Sequence, residues 1–544
     1  MPIPTSYRDK QLLIIDDMAD MRSSLRGQIA SLDIQKVSIA ANVRDALDLI
    51  KQKKHDVILC DYYLGAGTDG QQFLEFLRSN NLISRASLFI MITAETGYES
   101  VITAAECLPD DYLLKPFTAE TLRTRLERLL EKKARLANID KLQDRQAWLE
   151  IITACDDIIA VKDKYLVDAM RIKGNALVMS RQFDASIQFY QQALALRPMP
   201  WAKLGLAKAL TGKGDAEEAK LVLSGLISES PNLLSAYDLL GRIHTEEGHP
   251  EQALLVLDNA CKVAPNSLAR QRSLAVLAED SGDFARVEQA MNLVVKKTKN
   301  SPLRDARDYA RLSNAFSEMG DPAKAIGVLE EAKASFKEMD DARLLAAVEV
   351  VAQQRAGKPE LAQLALTLAT QGGTAHLPEA TALSIARACL ACDKTDLAMS
   401  ILKSVVQNNP ESNAASGAMQ NSISALLKDH GGADAAKKLI DNSVKEVIEL
   451  NNNAVMKAKA GQFADAARML TEAAIRLPNN LQIASNAAFS LLADVYMNGM
   501  DLTKITEAKQ FQQVVAKRDT QHPKLAEIAG LMSKIQAKYK LENS

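Results

Sequence analysis

After Lys133 the sequence repeats a pattern of small residues every 33 or 34 residues. The recurring positions are Pro198, Pro231 and Pro265 at the ends of three similar segments, and Gly214, Gly248 and Gly282 inside segments. Strand signals are scarce here, and Ala, Leu, Lys, Glu and Gln dominate, so each segment is predicted to be a helix hairpin. A single hairpin cannot bury its own apolar face, so successive copies must stack into an all-α solenoid.

Small residues at matching positions would let the two helices of each unit approach closely. The spacing and the small-residue pattern resemble the tetratricopeptide repeat, whose period is about 34 residues. The residues that carry the pattern are Gly174, Ala207 and Gly241 in first helices, and Ala219 and Ala253 in second helices. Degenerate copies follow at 320–332, 357–366 and 393–410, and a clear copy at 452–478. We expect about eight repeats over residues 167–500, the middle ones distorted, and capping helices over residues 501–544.

Residues 1–133 differ from this repeat region in their hydrophobic pattern. Short apolar runs alternate there with amphipathic segments, a pattern typical of a parallel sheet covered by helices on both faces. The runs are Leu12–Ile15, Val37–Ala41, Val57–Cys60, Leu88–Ile92 and Tyr112–Leu114. They predict a doubly wound α/β domain with a five-stranded parallel sheet. Its last helix is expected to continue into a helical connector over residues 134–166.

Polar residues stand at the carboxyl ends of four of these strands. In a doubly wound sheet those ends lie at one edge, where ligands bind. The residues are Asp16 and Asp17 after strand one, Asp61 after strand three, Thr93 after strand four and Lys115 after strand five. Three carboxylates this close repel one another unless a cation lies among them, and oxygen ligands favour Mg²⁺. A lysine and a hydroxyl beside them would cradle a phosphoryl group.

The motifs at these positions resemble the receiver domain of two-component response regulators, of the chemotaxis-regulator type. They are DD at 16–17, VILCD ending at Asp61, ITAE at 92–95 and LLKP at 113–116. The resemblance covers roughly residues 10 to 130. It implies that Asp61 accepts a phosphoryl group from a sensor histidine kinase or a phosphotransfer protein. The chain would then be a phosphoacceptor and not a turnover enzyme.

The same resemblance implies roles for the surrounding residues. The implied Mg²⁺ ligands are Asp16, Asp17, Asp61 and the backbone carbonyl of Tyr63. Lys115 would pair with the phosphoryl oxygens, Thr93 would hydrogen-bond one of them, and Tyr112 would swing inward as the switch aromatic. Glu95 either lies over the site or is an ordinary exposed loop residue.

The loop after Asp61 departs from the usual receiver pattern. Many receivers carry a proline four residues after the acceptor, where this chain has Gly65. The glycine that opens the next helix, Gly70, comes nine residues after Asp61 and not eight. We expect this longer loop to alter the fit of the kinase or the lifetime of the phosphoryl group.

Charge and composition reduce the number of functions that are compatible with the sequence. The net charge is −2, and residues 1–133 hold 17 basic against 19 acidic side chains, with 49 against 49 in the remainder. This balance argues against a transcription factor and against nucleic acid as a partner. The six scattered cysteines and the absence of a long apolar run lead us to expect a cytoplasmic protein with no membrane segment.

Two other functions remain open. A phosphatase of the haloacid-dehalogenase type also uses strand-end aspartates and Mg²⁺, but it needs a D-x-D nucleophile that DDMAD at 16–20 does not supply. The second open function is a receiver domain that serves only as a docking adaptor. In the preferred interpretation the solenoid binds an unidentified protein or peptide, and Thr93 and Tyr112 report phosphorylation to the fourth and fifth strand–helix units. Homodimerisation through those units is left open, because the solenoid could block it.

Overall fold

The computed structural model describes residues 9–65, 67–94, 109–299, 301–373, 377–408, 417–519 and 522–539. These residues contain five β-strands and 25 α-helices. The chain divides into two compact units, residues 1–308 and residues 309–544. The N-terminal unit begins with an α/β domain, and everything that is described after that domain is helical.

The α/β domain has the predicted five-stranded parallel sheet. Its strands are β1 Gln11–Ile15, β2 Lys36–Ala40, β3 Val57–Asp61, β4 Leu88–Thr93 and β5 Asp111–Leu114. Their order in the sheet is β2-β1-β3-β4-β5, and every neighbouring pair is parallel. The described helices of this domain are α1 Ala19–Ala30, α2 Val43–Gln52, α3 Gly70–Ser79 and α4 Ala119–Asp144. The doubly wound prediction is therefore confirmed.

Alternate strand residues enter two separate cores, which explains the almost continuous apolar runs. Leu12 and Ile14 of β1 pack with Leu25 of α1 and Leu126 of α4 on one face. Leu13, Ile15 and their neighbours pack with α2 and α3 on the other face. Both faces of the central strands β1, β3 and β4 are covered, so apart from Gln11 at the start of β1 their residues are apolar up to the carboxyl ends.

The last helix of the α/β domain continues without a break past Lys133, as the sequence predicted. It ends at Asp144, and a new helix begins at Trp148. Lys132 of α4 pairs with Asp168 at 2.6 Å, and Arg135 of α4 pairs with Asp163 at 2.8 Å. These ion pairs tie α4 to the helices that follow it.

Eight helices after the connector form four hairpins in the N-terminal unit. Helix α5 Trp148–Ala160 precedes them, and the eight hairpin helices are α6 Leu166–Met179, α7 Phe183–Leu196, α8 Pro200–Lys213, α9 Ala216–Glu229, α10 Leu234–Glu246, α11 Pro250–Val263, α12 Leu268–Asp280 and α13 Phe284–Thr298. The first helices of the hairpins begin at residues 166, 200, 234 and 268, which are 34 residues apart. The helix spacing therefore equals the period found in the sequence.

Glycines act at two kinds of position in these hairpins. Gly214 ends α8 in the left-handed conformation at φ +99°, which only glycine adopts without strain. Gly174 and Gly205 make room for the ring of Tyr190, because a Cβ at either position would lie only 2.5 or 2.1 Å from that ring. Small residues thus allow close helix packing here, as predicted.

The C-terminal unit is also helical. Its helices, the first of which begins just before the unit boundary, are α14 Ala306–Glu318, α15 Pro322–Lys333, α16 Met339–Arg355, α17 Pro359–Thr370, α18 Glu379–Ala391, α19 Thr395–Asn408, α20 Gly417–Leu426, α21 Gly432–Lys459, α22 Phe463–Arg476, α23 Leu481–Asn498, α24 Leu502–Arg518 and α25 Lys524–Tyr539. A 3₁₀ turn at Lys428–His430 precedes α21. The all-helical character is confirmed, while the assignment to tetratricopeptide repeats and the domain boundaries at 133, 166 and 500 stay predictions. None of the described helices is both long and apolar enough to cross a membrane.

Candidate functional site

The acidic pair follows β1 directly. The backbone N–H of Asp16 donates to the carbonyl of Ala40 at the end of β2, which holds the pair at the sheet edge. The side chain of Asp16 is fully buried and accepts a hydrogen bond of 2.8 Å from the backbone N–H of Met18. Asp17 is exposed. One carboxylate is therefore fixed by the fold, and its neighbour faces outward over the same edge.

Asp61 ends β3 and lies beside Asp16. It is buried, with 7% of its surface exposed. Lys115, which follows β5, donates hydrogen bonds to Asp61 at 2.8 Å and to Asp16 at 3.2 Å. The ammonium of Lys115 thus bridges the ends of β1 and β3, two of the strand ends that the sequence predicted to converge.

Burial and charge act in opposite directions on this pair. Burial raises the pKa of Asp61, and the hydrogen bond and the charge of Lys115 oppose that rise. Burial lowers the pKa of Lys115, but its bonds to Asp61 and Asp16 outweigh burial, so the net pKa of this lysine is raised. Lys115 therefore stays charged at neutral pH and supplies a fixed positive charge beside the carboxylates.

The three carboxylates form a suitable donor set for a hard cation. One oxygen each from Asp16, Asp17 and Asp61 lies within 4.8 Å of the others. Carboxylate oxygens are the ligands that Mg²⁺ prefers, and three negative charges exceed the one positive charge of Lys115. These residues fit the ion that the sequence predicted. The backbone carbonyl of Tyr63 stays a predicted ligand.

Thr93 ends β4, the strand beside Asp61, and Tyr112 lies in β5, one strand further from Asp61. Thr93 is buried, is paired with Leu114 in the sheet, and accepts a hydrogen bond of 2.7 Å at its carbonyl from the N–H of Lys115. The ring of Tyr112 is half-buried and packs against the core that α2 and α3 share with the sheet. The switch role of both residues stays a prediction. Glu95 and the helix predicted for the fourth strand–helix unit fall within residues 95–108, outside the described residues.

Two glycines, Gly65 in the loop after Asp61 and Gly70 at the start of α3, lie close to the acidic residues. Gly65 has φ +83°, and a Cβ there would lie 3.3 Å from a carboxylate oxygen of Asp17. Gly70 donates its N–H to the carbonyl of Tyr62 at 2.7 Å, and a Cβ at Gly70 would lie 2.3 Å from the carbonyl oxygen of Asp61. The two glycines that depart from the usual receiver pattern therefore contact the acidic residues directly.

A second group of possible metal ligands was missed in the sequence. His244, Glu247 and His249 offer ligand atoms within 4.8 Å of one another at the end of α10. Gly248, at φ +77°, turns the chain so that His249 returns toward His244, which the five-residue spacing alone does not indicate. Lys220 already pairs with Glu247 at 2.9 Å, so we assign this group no role.

The N-terminal domain matches a known family and known proteins. Residues 12–127 match the model of the response regulator receiver domain. The chemotaxis protein CheY-3 of Vibrio cholerae is 29% identical over 125 residues, which are 23% of this chain and 95% of that protein. CheY of Pseudomonas aeruginosa is 26% identical over 122 residues, 22% of this chain and 97% of the relative. Residues 12–127 form a response regulator receiver domain.

Solved structures also match this receiver domain. Chemotaxis protein CheY4 of Vibrio cholerae is 26% identical, with 22% of this chain and 98% of that chain covered and a TM-score of 0.21. The receiver domain of the Francisella response regulator 1452 is 27% identical, with 23% and 98% covered and a TM-score of 0.21. These matches cover the receiver domain and leave most of the helical region uncovered.

Removal of Lys115 should strengthen the binding of a cation by the carboxylates. We expect Lys115→Met to bind Mg²⁺ about tenfold more tightly, because the ammonium that bridges Asp61 and Asp16 then no longer repels the ion. Calorimetric titration of the full chain measures the change. Lys51→Met, an exposed lysine of α2, is the matched control and should leave the affinity unchanged. Weaker binding in Lys115→Met would contradict the expected competition.

Proposed function

We propose that this protein is a response regulator that is phosphorylated on Asp61 by a sensor histidine kinase or a phosphotransfer protein. The observation that supports this proposal is the meeting of three carboxylates with Lys115 at one edge of the receiver sheet. In the proposal the helical region is the output and binds a protein or peptide partner. The protein acts stoichiometrically, as a phosphoacceptor, and not as a turnover enzyme.

The chain's own residues supply most of the proposed chemistry. A carboxylate oxygen of Asp61 forms the new O–P bond while the P–N bond of the donor phosphohistidine breaks. The imidazole nitrogen keeps the electron pair of the broken bond and takes up a proton. Lys115, whose ammonium lies 2.8 Å from Asp61, would neutralise the phosphoryl oxygens, and the buried Thr93 would donate its hydroxyl to one of them.

Asp16, Asp17 and Asp61, with the carbonyl of Tyr63, would hold Mg²⁺ in this proposal. When bound, Mg²⁺ offsets the negative charge that accumulates on the phosphoryl oxygens during transfer. Asp16 is suited to this task because it is buried and its orientation is fixed by the N–H of Met18. Asp17 is suited because it is exposed and can follow the ion.

The switch and the cellular location complete the proposal. Phosphorylation replaces the single negative charge of the Asp61 carboxylate by a phosphoryl group of charge about −2 with three acceptor oxygens. Thr93 and Tyr112 respond to that group and change the surfaces that the receiver presents to the helical region. We place the protein in the cytoplasm, since the five described cysteines are free thiols, as expected in a reducing compartment.

Labelled acetyl phosphate tests the proposal on the full chain. We expect one phosphoryl group per chain, held as an acid-stable and hydroxylamine-labile acyl phosphate. Chelation of Mg²⁺ should slow its uptake by at least about tenfold. A phosphatase would instead release many phosphates per chain at constant rate. Release of many equivalents, or no uptake at all, would reject the proposed function.

A further inference from the structure

Helix α3 of the receiver is buried on both of its sides. Phe73, Leu74 and Leu77 pack on the sheet, as expected of an amphipathic helix. The polar residues Gln71 and Gln72 have exposed fractions of only 0% and 2%. Polar side chains at a helix start are normally solvated, so another element must cover this side of α3.

The covering element is the end of the fourth helix hairpin in the same compact unit. The side chain of Gln72 donates to the carbonyl of Asn266 at 3.0 Å. Thr68 in the loop before α3 is hydrogen-bonded to Ser301, and both side chains are buried. We call Asn266, Arg270, Lys297 and Ser301 the docking face. It belongs to α12, α13 and the residues that flank them.

Charges on the two sides of this contact are complementary. Asp69 of the receiver is attracted by Lys297, and Glu75 is attracted by Arg270. Burial raises the pKa of Asp69 to about 6, with Lys297 and backbone hydrogen bonds opposing the rise. Burial likewise raises the pKa of Glu75 to about 7, against the hydrogen bond from Gln71 and the charge of Arg270. The contact is therefore a desolvated interface with charges of opposite sign on its two sides.

The receiver side of this interface begins at the phosphoacceptor. The first residue of α3, Gly70, is packed against the carbonyl oxygen of Asp61, and Gly65 of the same loop approaches Asp17. Thr68, between these two glycines, contacts Ser301 of the docking face. The segment between β3 and α3, residues 62–69, thus joins the acidic site to the docking face.

We propose that this loop makes docking of the receiver on its own helical region depend on the state of Asp61, so that phosphorylation loosens the contact and frees the docking face. Two physical reasons set the direction. The charges of Asp61 and Asp69 both raise the pKa of the Cys60 thiol, so negative charge added at Asp61 also disfavours an ionised Asp69, which the interface already holds at a desolvation cost. The loop also lies close to the acidic site, because a Cβ at Gly65 would be 3.3 Å from a carboxylate oxygen of Asp17, so a phosphoryl group among these carboxylates is expected to displace the loop.

This inference rests on the proposed function, and thermodynamic linkage provides its test. If phosphorylation weakens docking, then weakened docking must favour the phosphorylated state by the same factor. Lys297→Glu reverses the charge that faces Asp69 from outside the receiver. Lys296→Glu, at the exposed neighbouring position of α13, is the matched control, because it makes the same charge change in the same helix turn.

The experiment uses the full chain, Mg²⁺ and beryllofluoride, a tetrahedral phosphoryl analogue. Amide hydrogen exchange of α3 and of residues 264–274 reports docking, and titration monitored by the exchange of β3 reports beryllofluoride affinity. We expect beryllofluoride to speed exchange of both docking segments in wild type. We expect Lys297→Glu to do so without it and to bind beryllofluoride about fivefold more tightly. Lys296→Glu should behave as wild type.

Three other results would reject the coupling, the docking or the proposed function. If Lys297→Glu loosens α3 and the beryllofluoride affinity does not change, docking is purely structural and the coupling is rejected. If neither docking segment responds to Lys297→Glu or to beryllofluoride, the docking itself is rejected. If wild type neither binds beryllofluoride nor takes up a phosphoryl group, the proposed function fails, and the inference fails with it.

Discussion

Asp61→Asn is expected to take up less than about one hundredth of the phosphoryl group that the wild-type chain accepts in the same time. The amide retains the shape of the side chain but lacks the anionic oxygen that must form the O–P bond. The measurement is incorporation of labelled phosphate from acetyl phosphate, followed by separation of intact protein. A purified kinase or phosphotransfer protein, once known, serves as a second donor.

The control for this substitution is Asp48→Asn, which makes the same chemical change at an exposed position of α2. It should incorporate phosphate at the wild-type rate. Asp61→Asn leaves Lys115 its second partner, Asp16 at 3.2 Å, so the fold should be retained, as circular dichroism would show. Undiminished labelling of Asp61→Asn would place the acceptor elsewhere, and Asp16 and Asp17 would be the next residues to test.

Much of this site was predictable because the sheet geometry is strict. Parallel strands of a doubly wound domain end at one edge, so polar residues at the ends of separate apolar runs must meet there. Asp16, Asp61 and Lys115 are far apart in sequence, yet the strand pattern alone brings them together. The structure then adds what no pattern gives, namely that Lys115 bridges two particular carboxylates and that Asp16 is buried while Asp17 is exposed.

The docking of α3 was not predictable, and the reason is physical. Gln71 and Gln72 are polar, so the amphipathic pattern of α3 assigns them to the solvent side. Their burial depends on Asn266 and its neighbours, which lie 194 residues further along the chain. Hydrophobic periodicity reports only which face of an element is apolar, and it carries no information about a polar contact at such a separation.

The unusual loop connects these two observations. The sequence identified Gly65 and the late Gly70 as departures that could change the rates of the receiver, and assigned them no structural partner. In the structure the same loop contacts Asp17 at one point and Ser301 at another. The extra residue therefore gives this loop the length that it needs to reach the docking face while α3 still begins against Asp61.

Gly70→Ala tests how tightly this loop is held, and its expected effect is large. A Cβ at residue 70 would lie 2.3 Å from the carbonyl oxygen of Asp61 and 3.0 Å from the sulfur of Met91. The carbonyl belongs to a buried central strand and cannot move away freely. We expect the substitution to destabilise the receiver by about 3 kcal/mol, the upper part of the range for overpacking.

Hydrogen exchange of the β3 amides in the full chain measures this change in stability within the receiver alone. A single melting temperature would instead combine the unfolding of two compact units. The expected loss corresponds to exchange on the order of 100-fold faster. Gly27→Ala is the matched control, because Gly27 lies inside α1 with no atom within 4 Å of its Cβ position. Alanine has a higher helix propensity than glycine, worth up to about 1 kcal/mol, so this variant should slow exchange. If both variants stabilise the receiver, α3 does not begin against the carbonyl of Asp61, and the loop has no direct path from the phosphoacceptor to the docking face.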